Sequence, residues 1–435
     1  MHKHLLLVML VACSDPANPA SPDAAVPPPM LDAEVTPPVN PCVQTPTALS
    51  TSAAWYGTNR ADLTAWIDAK GCASTGYDAA HKPVALFDWD NTLSKNDFGD
   101  AITFWMIAND KVLQPPGQDW HATSPFLTDA AATALTTACG TTVAAGFPLH
   151  TSMNAACADE MLDIYIDEVT SGGQPAFAGW NYRWIEPAYA WTAQLLAGYT
   201  HAELQAFMMQ AVTPQLAAPD TATQTIGTHT GLNAWLRVYD EQKSLVTALQ
   251  TRGYDVWIIT ASPQDAIAAV APLSGIAADH VVGIRSTTDG AGKLTYRFEG
   301  CGPLADNQGQ MISYIQGKRC LVNKYIFGDT SARAIERRPD GQRQYFSAGD
   351  SDTDIEFLRD ATYKWVLNRN KKELMCNAFN DEANSWRINP MFIGAKSTLA
   401  AGYTCSAAFT TETGAAAPAR DLGGNLIANQ VDAIP

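Results

Sequence analysis

Val84-Ala85-Leu86-Phe87-Asp88-Trp89-Asp90-Asn91-Thr92 is the stretch whose reading decides the fold: four apolar residues end on an acid, and a second acid follows two places later. A continuous rather than alternating apolar run is what a strand covered on both faces needs, so Val84–Phe87 is predicted to lie in the middle of a parallel sheet. Runs of the same kind occur at Asp255-Val256-Trp257-Ile258-Ile259-Thr260, at Gln344-Tyr345-Phe346-Ser347-Ala348 and over 363–367. Helical patterns separate them. Gly253 ends the helix before the second run, and Ile355-Glu356-Phe357-Leu358 precedes the fourth. Strands alternating with helices imply right-handed crossovers, hence an α/β fold built on a doubly wound parallel sheet. A helix over 55–69, stopped by Gly71, comes before the first strand, and 281–298, with Asp289-Gly290 and Gly292 inside it, is expected as a small β-hairpin hung on the sheet.

Between the first strand and the second lies a long stretch that this alternation does not explain. It reads as helical: Thr200-His201-Ala202-Glu203 has the form of a capping box opening the run Leu204, Phe207, Met208, Ala211, Val212, with another helix over 187–196. The division is therefore a core of 49–97 and 239–400, an inserted helical cap of 98–238, and an extension of 401–435 to which the sequence assigns no role.

Open parallel sheets put their ligand crevice beyond the carboxyl ends of the strands, and the chemically able residues sit there. Asp88 and Asp90 leave the first strand in i, i+2 spacing; two close carboxylates do not both ionise without a cation, so either a metal is held or one acid stays protonated. Gly349-Asp350-Ser351-Asp352-Thr353-Asp354 is a second acidic strand exit, and hard oxygen ligands of this type suit Mg²⁺. Thr260 ends the second strand, with Ser262 expected to cap the next helix, and a hydroxyl beside free amides makes an anion site. Gly317-Lys318 supplies a fixed cation for the same anion, with Lys324 the competing choice.

The ordered set Asp-x-Asp-x-Thr, strand-end Thr, Lys and Gly-Asp-x-x-x-Asp resembles the haloacid dehalogenase (HAD) superfamily, in its phosphatase branch with a cap inserted after the first motif. Over 83–370 the likeness is to exported phosphoserine-phosphatase-like hydrolases, phosphorylcholine phosphatase among them. The resemblance implies a Mg²⁺-dependent phosphomonoester hydrolase acting on a small phosphorylated metabolite through an aspartyl-phosphate. Asp88 would be the nucleophile, and Asp90 the acid toward the leaving alcohol and then the base toward water, with its carbonyl on the metal. Asp350 would complete the metal shell, Lys318 and Thr260 would hold the phosphoryl oxygens, and Asp354 would orient Lys318 or a metal-bound water. Dehalogenases of the superfamily lack the second acid, so Asp90 speaks against carbon–halogen cleavage. A phosphoserine or broad-specificity phosphomonoesterase is the alternative within enzymes. From another class, the alternative is a surface lipoprotein using the fold as a binding module.

Other residues carry two readings. Trp89 is packing or a wall of the entrance, and Asp97 and Asp100 either approach the substrate or, the preferred reading, lie on an exposed flap. The cap stretch Trp180, Tyr182, Trp184, Tyr189, Trp191, with Glu160, Asp163, Asp167 and Glu168 nearby, either packs the cap or offers aromatic faces to a choline or ethanolamine head group.

Composition sets the outer bounds. The 435 residues carry 28 Lys+Arg against 44 Asp+Glu, a net charge of −16, which argues against nucleic acid as a partner. Residues 1–12, with a basic start and a short apolar run ending in Leu10-Val11-Ala12-Cys13, read as a lipoprotein signal peptide with Cys13 as the lipid attachment site. Residues 13–48, rich in Pro, Ala and Asp, read as a disordered tether. The expected location is the cell envelope, anchored through Cys13; Ser14 rather than Asp after the Cys favours the outer over the inner membrane, by resemblance to lipoprotein sorting. The eight remaining Cys form an even set in an exported chain, and pairing in sequence order is expected because each bridge then closes a short loop. No Cys-x-x-Cys or His-Glu-x-x-His spacing supports zinc.

Overall fold

The computed structural model describes Cys42 and residues 45–435. The expected signal peptide, Cys13, and the tether apart from Cys42 and residues 45–48 lie outside the described residues.

Six strands form one sheet: β1 (Val84–Phe87), β2 (Asp255–Pro263), β3 (Val281–Ile284), β4 (Phe346–Gly349), β5 (Tyr363–Asn368) and β6 (Trp386–Pro390). Their order is β6-β5-β4-β1-β2-β3, and every pair is parallel. The expected doubly wound α/β sheet is the one found. Leu86, Ile259 and Val366 point into one apolar cluster, and Ala85, Phe87, Ile258 and Trp365 into another. This two-sided burial is why the strands read as continuous apolar runs.

Two strands of the sheet depart from the sequence pattern. Val281–Ile284 was expected as one arm of a hairpin but is an edge strand of the main sheet, and the hairpin is confined to Ser286–Thr288 and Leu294–Phe298. Turn signals at Asp289-Gly290 dominate the local pattern, whereas the partner of Val281 is Ile258, which only the tertiary fold supplies. The other is β6, which ends in Pro390, a residue tolerated where a strand has one free edge. The expected first helix starts later, at Asn59, and Trp55 instead packs its ring against Trp365 and Phe392.

The chain runs from β1 to β2 and β3 on one side, then to β4, β5 and β6 on the other. The connections diverge between β1 and β4, and an open sheet has its crevice at such a switch point. Residues 98–238 form five α-helices, with the Thr200–Glu203 capping box present, and a short hairpin, Thr223–Ile226 with His229–Asn233. Where this segment leaves and rejoins the sheet, Ser94–Lys95 pairs antiparallel with Arg237–Val238. Arg183 from the same segment is 1% exposed; it donates to Glu356 at 2.8 Å and to Glu373 at 2.9 Å, which fixes the neighbouring 180–186 stretch to the helices after β4 and β5.

All four disulfides follow sequence order: Cys42–Cys72, Cys139–Cys157, Cys301–Cys320 and Cys376–Cys405. The last ties the C-terminal extension to the helix Lys372–Asn380. No helix among the described residues is long and apolar enough to cross a membrane.

Candidate active site

The register of β1 against β4 sets Phe87 beside Ala348, so the two strands deliver Asp88 and Asp350 side by side. The backbone N–H of Asp88 donates to the Ala348 carbonyl at 3.0 Å and fixes the exit of the first strand. The turn that follows is held by Trp89, whose carbonyl accepts from Leu93 N and Ser94 N, and whose ring is fully buried edge-on to Phe98. Of its two expected roles, Trp89 therefore has the packing one. Asn91 takes φ 64°, a left-handed conformation that Asn tolerates better than most residues.

Two glycines make the acidic β4 exit and the lysine possible. A Cβ at Gly349 would sit 2.7 Å from Asp354 Oδ2, which folds back to accept from the backbone N–H of Asp350 and Ser351 at 2.9 and 3.0 Å. A Cβ at Gly317 would lie 1.8 Å from the Ile312 carbonyl, so only glycine lets the helix Gln316–Tyr325 start here and aim Lys318 inward.

Lys318 is wholly buried and donates to Asp88 Oδ1 at 2.7 Å and to Asp354 Oδ1 at 2.6 Å. Lys324, the competing choice, instead donates to the Gly300 carbonyl. Burial alone would lower the Lys318 pKa, but the facing carboxylates of Asp354 and Asp88 outweigh it and raise it, so the ammonium is permanently charged. Asp350 accepts from Thr92 Oγ1 at 2.7 Å and from Arg369 Nη1 at 2.6 Å.

Carboxylate oxygens of Asp88, Asp350 and Asp354 come within 4.8 Å of one another. Against these three acids stand Lys318 and Arg369, an excess of one negative charge (3 − 2) in a buried place. Burial first, then repulsion from Asp354, raises the Asp88 pKa well above the carboxylate range despite Lys318. An all-oxygen set with surplus negative charge fits a hard divalent cation. Both Asp354 oxygens are committed, one to backbone N–H groups and one to Lys318, so Asp354 positions the lysine, and Asp88 and Asp350 are the acids that could hold a cation.

Asp90 accepts from Phe98 N and from Ser262 Oγ, each at 2.7 Å. Burial, with Asp97 and Asp88 nearby, raises its pKa well above the ordinary value, the direction an acid that donates a proton needs. Ser262 thus differs from its expected role: Pro263 occupies the N-cap of the next helix, and the Ser262 hydroxyl serves Asp90. Thr260 is fully buried, its Oγ1 accepting from Ser262 N at 3.1 Å; the cavity wall at this strand end is made by Ala261, Ser262 and Pro263.

A cavity of about 320 Å³ opens beside these groups; Lys318, Asp350, Asp354 and Thr260 lie behind its wall. Asp88, Asp90 and Ser262 form part of its wall, with Arg369 and Lys371 contributed from beyond β5. Arg369 escaped the sequence reading, although its position at the exit of a parallel strand is the signal that found the others. Elsewhere the wall is aromatic and acidic: Trp180, Tyr182, Tyr189 and Tyr314, with Glu168 and Glu186. Trp184 is not part of it; its indole N–H donates to Gln316 Oε1 at 2.7 Å, away from the cavity. Trp191 is also withdrawn, buried with its N–H on Thr123. Glu160 binds Ser171, and Asp163 pairs with His229. Glu186, which no sequence signal singled out, caps the helix Pro187–Gln194, and burial pushes its pKa up to about 7.

Asp97 and Asp100 do not lie on an exposed flap. Asp97 caps the helix Phe98–Ala108 and lines the cavity, because the Asp90–Phe98 hydrogen bond folds that first turn over the β1 exit. Asp100 accepts from the Tyr165 hydroxyl, and burial, then Asp97, pushes its pKa up to about 8. A raised folded-state pKa means that the native protein binds the extra proton between the unfolded value near 3.8 and about 8, so stability falls as pH rises through that window. Asp100→Asn removes this loss. Its stability should match wild type near pH 4 and exceed it at pH 9 by on the order of 5 kcal/mol, the linkage equivalent of about four pKa units, read from the melting temperatures. Parallel melting curves at both pH values would show that Asp100 is ionised without penalty.

No family model matches the chain, and no curated protein sequence does. Among solved structures, it is similar to a conserved functionally unknown protein from Anaerococcus prevotii DSM 20548, with TM-score 0.57 and 19% identity over 80% of this chain and 94% of that one. That likeness shows a shared fold. At lower TM-scores stand a protein with unknown function from Bordetella pertussis Tohama I (0.41, 17% identity, 71% and 99% covered) and a substrate-bound phosphoserine phosphatase complex (0.31, 14%, 66% and 86%).

Proposed function

We propose that the chain is a Mg²⁺-dependent phosphomonoester hydrolase of HAD type working through an aspartyl-phosphate on Asp88. One observation carries the reading: Asp88, Asp90, Asp350 and Lys318, spread over the sequence, meet at the strand ends of one sheet beside one cavity. The motif order and the topological switch between β1 and β4 support it.

In this reading the unpaired oxygen of Asp88 attacks phosphorus and the ester P–O bond breaks. Asp90, protonated and aligned by Ser262 and Phe98 N, gives its proton to the departing alkoxide. The emptied carboxylate of Asp90 then takes a proton from water as the water oxygen attacks phosphorus, which breaks the Asp88–phosphoryl bond and releases phosphate. Lys318, locked by Asp354, neutralises negative charge on the phosphoryl oxygens without moving. Asp88 and Asp350 would hold Mg²⁺, which supplies charge neutralisation for the nucleophile and the phosphoryl group. Thr260, through its bond to Ser262 N, shapes the loop facing them.

The aromatic and acidic wall supports a substrate with a cationic end, phosphocholine or phosphoethanolamine. Residues 98–238, which supply most of that wall, act as the cap. Four disulfides support an oxidising compartment, in line with export as a lipoprotein through Cys13.

The test is phosphate release from phosphocholine, phosphoethanolamine, phosphoserine, sugar phosphates and p-nitrophenyl phosphate, with Mg²⁺ or with EDTA. Turnover should require Mg²⁺ and favour the cationic esters. Trp180→Ala should raise KM for phosphocholine about 5- to 30-fold, the size of a desolvated cation–π contact, and leave sugar phosphates nearly unchanged. An equal rise for both classes removes the cationic subsite; inactivity on the whole panel favours a binding module.

A further inference from the structure

We infer that Arg369 is the resident counter-ion of Asp350, that it yields one carboxylate oxygen when a divalent cation binds, and that the released guanidinium becomes a second phosphoryl-holding group beside Lys318. The inference rests on the reading of Asp350 as a metal ligand.

Asp350 is buried, and both its oxygens are taken, Oδ1 by the Thr92 hydroxyl and Oδ2 by Arg369 Nη1. An ion arriving there meets a carboxylate already neutralised by a cation, so binding has to displace that cation or share an oxygen with it. Thr92 is neutral and belongs to the β1 exit, and it can keep Oδ1 throughout. The exchangeable oxygen is Oδ2.

The two cations of the site differ in their freedom to respond. Lys318 is fully buried, rooted in a helix and gripped by two carboxylates. Arg369 is 28% exposed, lines the cavity, and leaves β5 on a loop whose next residue, Asn370, has φ 60°. A guanidinium cannot lose its proton, and its planar fork of five N–H groups suits two oxygens at once. Once parted from Asp350 it needs another anion. The groups that interact electrostatically with it are Asp97, Asp100, Tyr189 and Tyr239, and the like charge of Lys95. Asp97 already accepts two backbone N–H groups on one oxygen, whereas a bound phosphate monoester brings up to two negative charges and free oxygens. The substrate is the stronger partner.

Mn²⁺ binding to the metal-stripped full chain, read as free Mn²⁺ by electron paramagnetic resonance without substrate, tests the exchange. Wild type should bind one Mn²⁺, and Arg369→Met should bind it about 3- to 10-fold more tightly, because the competitor is gone. Lys371→Met removes a positive charge from the same cavity without touching Asp350, and should change affinity less than about twofold. On the Mn²⁺-loaded proteins, inorganic phosphate should bind about 10-fold more weakly to Arg369→Met than to wild type, with partial recovery in Arg369→Lys. Mn²⁺ affinity in Arg369→Met equal to that in Lys371→Met, or unchanged phosphate affinity, overturns the inference and leaves the phosphatase reading standing. Failure of the wild type to bind Mn²⁺ overturns the metal reading and this inference with it.

Discussion

Asp88→Asn should lower p-nitrophenyl phosphate hydrolysis by about 10⁴-fold or more, the order expected when the covalent nucleophile is taken from groups that act as a unit. An amide oxygen at this place still accepts from Lys318 but cannot carry the phosphoryl group. The same change should keep the melting temperature or raise it. Asp88 is one of three buried acids facing two cations, and its charge is disfavoured first by burial and then by Asp354. Loss of rate without loss of fold is therefore the expected pair of results, read by initial rates and thermal melting on one preparation. Full activity in the variant would place the chemistry elsewhere, and a collapsed fold would mean that the carboxylate is structural.

Lys318→Met should be damaging in both respects. Methionine keeps most of the aliphatic volume, so a packing defect is not the cause. What is lost is the charge that bridges Asp88 Oδ1 and Asp354 Oδ1, and removing one partner of a buried ion pair costs about 3–5 kcal/mol. The carboxylates left behind hold their protons more tightly in the folded chain than in the unfolded one. Stability therefore falls as pH rises above the unfolded carboxylate value, and the deficit against wild type should be larger at pH 8 than at pH 5. Hydrolysis should remain lost at pH 5 and at saturating Mg²⁺, because the phosphoryl oxygens have no fixed cation. A variant that melts like wild type at pH 8 contradicts the bridging role.

The fold was legible in the sequence where burial is two-sided. Val84–Phe87, the Ile258 region and the 363–367 run are apolar without alternation because each strand is covered on both faces, and that pattern is local. The place of β3 in the main sheet and the presence of β6 were not legible, since each is decided by the neighbour it pairs with. The same division runs through the site. Asp88, Asp90, Asp350, Asp354 and Lys318 announce themselves by residue type at a strand exit or a helix start. The choice of Lys318 over Lys324 became physical only when Nζ was seen between two carboxylates. Ser262 as a partner of Asp90, Arg369 on Asp350, and the withdrawal of Trp184 from the cavity depend on segments far apart in the chain.

By itself, then, the amino-acid order determined which strands are central and where the acids leave them, because hydrophobic periodicity is a property of neighbouring residues; short-loop closure favoured pairing of the cysteines in sequence order, which only the structure decided. Only the tertiary structure decided which charges share a buried space, which aromatic rings line the cavity and which brace the helices. Those outcomes depend on distances between residues that the chain separates by hundreds of bonds.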